Sequence, residues 1–72
     1  MREKIALTVE EAADFTGIGR NTLRQLIKMD MMPTLQIGRK ILIRTEDLNE
    51  FLTLNRNNNL RNPEEVTPLR LS

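Results

Sequence analysis

The sequence predicts a small α+β fold: three short helices, one two-stranded hairpin and a tail without periodicity. Three observations carry that expectation. Two helical apolar patterns are separated by Gly17-Ile18-Gly19, a glycine stop. A stretch of alternating apolar residues, Leu35 to Arg44, is interrupted by a single glycine. And 72 residues without cysteine allow only one small core that no disulfide reinforces.

Each element has a local cause. Ile5 and Leu7 alternate with Lys4, Ala6 and Thr8, which suits a short extended entry segment. Thr8-Val9-Glu10-Glu11 reads as a capping box, in which the Thr8 hydroxyl and the Glu11 carboxylate satisfy amides of the first turn. The helix it opens carries Val9, Ala12 and Ala13 on one face with Phe15 beside them. It stops at Gly17-Ile18-Gly19, where Ile18 is placed as a buried pin. A second helix begins near Arg20, with Leu23, Leu26 and Ile27 at the i, i+3, i+4 spacing of one apolar stripe. Asn21, Gln25 and Lys28 lie opposite that stripe and Arg24 on its flank. Met29-Asp30-Met31-Met32-Pro33 ends it, because a proline disfavours helical geometry in the residue before it.

The hairpin follows. Leu35 and Ile37 alternate with Thr34 and Gln36, and Ile41 and Ile43 with Leu42 and Arg44. A three-residue loop, Gly38-Arg39-Lys40, would put Leu35, Ile37, Ile41 and Ile43 on one face, and it is the expected connection. Thr45 is read as the cap of a third helix, with Glu46 and Asp47 in its first turn and a stripe of Leu48, Phe51 and Leu52. From Asn55 the pattern dissolves into an asparagine run punctuated by Pro63 and Pro68. Residues 1–56 are therefore expected to form one domain and 57–72 a flexible C-terminal tail.

Composition excludes several classes of function. With neither histidine nor cysteine, the chain lacks the usual metal ligands and the usual nucleophile–base pair, so no metal, no cofactor and no catalytic residue is expected. Glu10, Glu11, Asp14, Glu46, Asp47 and Glu50 are candidate acid–base partners in principle, but helix starts and exposed faces account for each. No apolar run reaches the roughly 20 residues of a membrane span, and the first residues lack a signal-peptide core. A cytoplasmic, non-enzymatic protein is the expectation.

Charge is more informative once it is divided along the chain. Residues 1–16 carry net −2, residues 17–44 net +5 and residues 45–72 net −2. A cationic middle between acidic ends suits a polyanion-binding surface, although a solvated basic helix face would look the same. The two helices around the glycine stop make a helix-turn-helix unit, and the hairpin adds a wing. In that arrangement the second helix enters the major groove of duplex DNA. Arginine reads guanine and asparagine or glutamine reads adenine. Asn21, Arg24 and Gln25 are thus candidate base contacts, and Arg20, Thr22 and Lys28 candidate phosphate contacts. Arg39 and Lys40 at the wing tip are placed to touch a minor groove or its flanking phosphates. A charged tip also serves simply to block edge pairing. If all six cations of residues 17–44 neutralised phosphates, log K would fall against log salt with a slope of about −5.

Residues 7–54 also resemble the excisionase family of winged helix-turn-helix domains, distantly akin to MerR-type DNA-binding domains. The matching stretches are Leu7 to Ala13, Ile18 to Arg24, Pro33, Ile37 to Ile43, Asp47-Leu48 and Phe51-Leu52. Ile18 to Leu26 looks most like excisionases of integrative conjugative elements of Gram-positive bacteria. The resemblance implies a recombination directionality factor that binds repeated sites at the ends of a mobile element and bends them. It also implies a tyrosine-type integrase as partner, with neighbouring copies of the chain side by side on the DNA. Many relatives have serine where Gly19 stands and glycine where Asp30 stands, so the entry to and exit from the second helix differ here. A small transcriptional regulator of a phage or mobile element, using the same surface on a promoter, is the alternative; a protein-interaction adaptor on the same scaffold is a more distant one.

Overall fold

The computed structural model describes residues 5–69 and forms a three-stranded antiparallel sheet packed with three helices. In chain order the elements are β1 (Ala6–Thr8), α1 (Val9–Thr16), α2 (Arg20–Lys28), β2 (Leu35–Ile37), β3 (Lys40–Arg44) and α3 (Thr45–Leu54). This is the α+β winged helix-turn-helix arrangement expected from the sequence.

The capping box at Thr8 is present in full: Glu11 N donates to Thr8 Oγ1 at 3.1 Å, and Thr8 N donates to Glu11 Oε1 at 3.0 Å. Gly17 closes α1 in the left-handed region at φ 79°, which a residue with a Cβ adopts only at a cost. At the far end of α2, Asp30 N donates to Ile27 O and Met31 N to Leu26 O, both at 2.9 Å. Those two bonds form a Schellman motif with Asp30 left-handed at φ 59°, so an aspartate occupies a position that usually favours glycine.

The core draws on every helix. Val9, Ala12, Leu23, Leu26, Met32, Leu48 and Phe51 are buried, and Leu7 and Ile43 cover them from the sheet. The stripes of α2 and α3 thus face as expected, with Ile27 and Leu52 half-buried at the margin. Phe15, beside the inner face of α1, is 70% exposed.

The sheet and the cap of α3 depart from expectation in three places. The extended entry segment stands as strand β1, but it also pairs with β3, so the expected two-stranded wing is the outer part of a three-stranded sheet in the order β1-β3-β2. The hairpin turn has two residues, not three, since Ile37 pairs with Lys40, Gln36 with Ile41 and Leu35 with Leu42. Gly38 at φ 60°, followed by Arg39 outside the positive-φ region, suits the first central position of a twist-compatible two-residue turn. One residue less in the loop regroups the faces. Leu35 and Ile37 therefore share the outer face with Lys40 and Leu42 and stay 45% and 63% exposed, while Ile43 lies inside. Third, Arg44 rather than Thr45 occupies the cap of α3, without a side-chain capping bond; Thr45 is already helical, its N–H donating to Ile5 O at 2.8 Å.

The largest correction concerns the segment read as a flexible tail. Residues 57–69 fold back over the domain, with Val66 and Leu69 buried in the core and Leu69 N donating to Met31 O at 2.8 Å. Buried Asn55 clasps the segment: its Nδ2 donates to Thr67 O at 2.9 Å and its Oδ1 accepts from Thr67 N at 2.7 Å. A short 3₁₀ turn, Pro63–Glu65, is capped by Asn62, whose side chain accepts from Glu64 N. The remainder of the expected tail, 70–72, lies outside the described residues.

Candidate nucleic-acid interface

Helix α2 presents the candidate reading face. Its inner stripe, Leu23 and Leu26, is locked in the core, which leaves Arg20, Asn21, Arg24, Gln25 and Lys28 exposed and Thr22 half-buried. Nine residues give the helix a length of about 13 Å, comparable with the roughly 12 Å width of a major groove. Its N-cap is Gly19, which makes no side-chain capping bond, so this end of the helix carries no side-chain acceptor for its first amides.

The fold brings the wing to one flank of that helix. Arg24 of α2, Arg39 of the turn and Lys40 of β3 line one cleft of about 330 Å³, together with Thr8, Val9, Glu10 and Ile41. Three of the eight candidate residues, Arg24 and the adjacent Arg39 and Lys40 fifteen positions later, therefore share one basic recess. Within it Arg24 is not free: its Nη2 lies 2.6 Å from Glu10 Oε2, with both side chains about half exposed. Among the described residues, Arg20, Lys28, Arg39 and Lys40 have side chains outside any ion pair and available to phosphates. Arg44, just beyond the wing, is held by Glu46 at 3.0 Å.

Asn21, Thr22 and Gln25 border a different cleft, of about 280 Å³, on the other side of α2. Its far wall is the folded-back segment, through Leu60, Arg61 and Pro63. Gln25 also leans along its own helix, Nε2 lying 3.8 Å from Met29 Sδ, a weak contact that leaves the amide available. Arg20 and Lys28 belong to neither recess and sit at the two ends of α2.

Two residues of this surface escaped the reading of the sequence. Glu10 was explained by its favourable place in the first turn of α1, and nothing local reveals that it faces Arg24 fourteen positions later. Arg61 falls in the segment expected to be a flexible tail. A signal for it exists: Asn62-Pro63-Glu64-Glu65 has a cap residue, proline at the first helical position and acids after it, the pattern of a helix start.

Residues 6–56 match the family model described as a helix-turn-helix domain, and the chain belongs to that family. That family defines a DNA-binding class of protein. The chain is also similar to an uncharacterized protein of Bacillus subtilis (strain 168), YvgK, at 32% identity over 53 residues. That match covers 74% of this chain but 17% of the relative, so the chain spans about a sixth of that protein's length. No solved structure matches. Among the described residues no helix is long and apolar enough to cross a membrane.

Proposed function

We propose that this domain is an excisionase-type accessory factor that inserts α2 into the major groove of duplex DNA and lays the wing on the adjoining backbone or minor groove. The observation that carries the DNA part is the convergence of Arg24, Arg39 and Lys40 on one recess beside the exposed polar face of α2. The excisionase part is supported by the resemblance of residues 7–54 to that family. The work is done by binding and bending alone, with no catalysis. A domain this small makes few contacts, so occupancy of a site rests on several copies side by side, and a tyrosine-type integrase reads the bent array. Bending 20–30 base pairs costs about 1–6 kcal/mol, which those copies offset together.

The test is made in the source cell. The reading frame is deleted and the circular junction of the neighbouring integrase-encoding element is quantified by PCR, with and without a complementing copy. Loss of the circle, restored by complementation with integrase transcript unchanged, is the expected result. Unchanged circle levels, or a loss that follows integrase transcript, would instead assign the same surface to a transcriptional regulator.

A further inference from the structure

We propose that the folded-back C-terminal segment supplies a second backbone contact, with Arg61 gripping phosphates on the side of α2 opposite the wing. This rests on the DNA-binding reading above and assigns a contact that the helix-turn-helix match does not include, since that match ends at residue 56.

The geometry begins with the helix. At 100° per residue, Thr22 and Met29 lie about 140–160° around α2 from Arg24. The wing recess takes Arg24, whereas the recess with Arg61 takes Thr22 and Met29. Asn21 and Gln25, about 60° and 100° around the helix from Arg24, line the second recess as well. A major groove is bounded by two sugar–phosphate backbones, so a helix seated in it has one backbone on each flank. The wing meets the first, and the Leu60–Pro63 wall stands where the second runs.

Arg61 is exposed, and among the described residues its guanidinium has no ion-pair partner. Its own backbone is pinned, N–H to Asn59 Oδ1 at 3.0 Å. The carboxylate of Glu65, exposed on the same stretch, is occupied within the segment, accepting from Asn59 N at 3.2 Å and Asn62 Nδ2 at 3.1 Å. Glu64, exposed on the 3₁₀ turn, is the remaining acid of this stretch. Burial of Val66 and Leu69 and the Asn55–Thr67 clasp hold the segment in place, so little ordering is left to be done when DNA arrives.

The test measures fluorescence anisotropy of a labelled 30-base-pair duplex of arbitrary sequence, titrated with the full chain over a series of NaCl concentrations. Arg61→Gln is compared with Arg56→Gln, which removes the same charge from an exposed residue lining neither recess. The expected result is a roughly three- to tenfold loss for Arg61→Gln with a salt slope shallower by about 0.9, little change for Arg56→Gln, and recovery by Arg61→Lys. Equal affinity and slope for the two glutamine variants, with the unmodified chain binding normally, would overturn the Arg61 contact and leave the DNA reading standing. Failure of the unmodified chain to bind any duplex at low salt would overturn both.

Discussion

Arg24 Nη2 lies 2.6 Å from Glu10 Oε2, so the arginine proposed to read a base is tied, in the free protein, to the first turn of the preceding helix. Both side chains are about half exposed, and such pairs add little stability, at most about 1 kcal/mol. The pair matters for the geometry of Arg24 and for the charge of the proposed DNA-facing surface. Glu10 holds the guanidinium beside the wing and also sets a negative group in the recess proposed to meet phosphates.

Glu10→Gln therefore has two expected consequences that differ in sign. Affinity for random duplex rises, because an acid leaves the DNA-facing recess. Discrimination at the base pair read by Arg24 narrows, because the guanidinium is no longer held. Arg24→Ala should cost roughly 1–3 kcal/mol on a selected site and relax one position. Binding of both variants to a selected duplex and to its single-base substitutions separates these effects; equal loss on every sequence would make Arg24 a phosphate contact.

Salt dependence follows from which cations are available. Six cations in residues 17–44 would give a slope of about −5. With Arg24 proposed for a base and Arg44 held by Glu46, the proposed phosphate contacts are Arg20, Lys28, Arg39 and Lys40, which are outside the ion pairs of the described residues. The expected slope is then about −3.6, or about −4.5 with Arg61. Titrations from low to moderate salt measure it, and a slope near zero would sink the electrostatic account.

Leu26 is 2% exposed at the centre of the α2 stripe. Leu26→Ala should destabilise the domain by roughly 2–5 kcal/mol, through lost burial and the cavity left behind. Chemical denaturation followed by circular dichroism measures this. In a domain of this size such a loss leaves a sizeable unfolded fraction at room temperature.

Asn55 makes the bonds that dock the C-terminal segment. Asn55→Ala strands the N–H and carbonyl of Thr67 and should cost roughly 1–3 kcal/mol. It should also expose residues 57–69 to protease well before the helices are cut. Cleavage in that segment at the same rate in variant and parent would show that the Val66 and Leu69 contacts suffice without the clasp.

The elements whose cause is local are legible in the residues themselves. The capping box at Thr8, the glycine stop at Gly17, the apolar stripe from Leu23 to Ile27 and the alternation of β3 all follow from backbone and side-chain preferences acting within a few residues, and each stands where it was read. The exposed candidates on α2 follow too, because a buried stripe fixes the opposite face. What depends on distant partners is fixed by the packing of the folded chain. The hairpin's register turned on one residue of loop, which alternation alone leaves open and pairing of β3 with both neighbours resolves. The Glu10–Arg24 pair needs the packing of α1 on α2, and the place of Arg61 needs Val66 and Leu69 to find a core whose members run from Leu7 to Phe51. A periodic pattern records which face is buried, but two isolated apolar residues after an asparagine run carry no period. Their burial is settled by the space that the first 55 residues leave open.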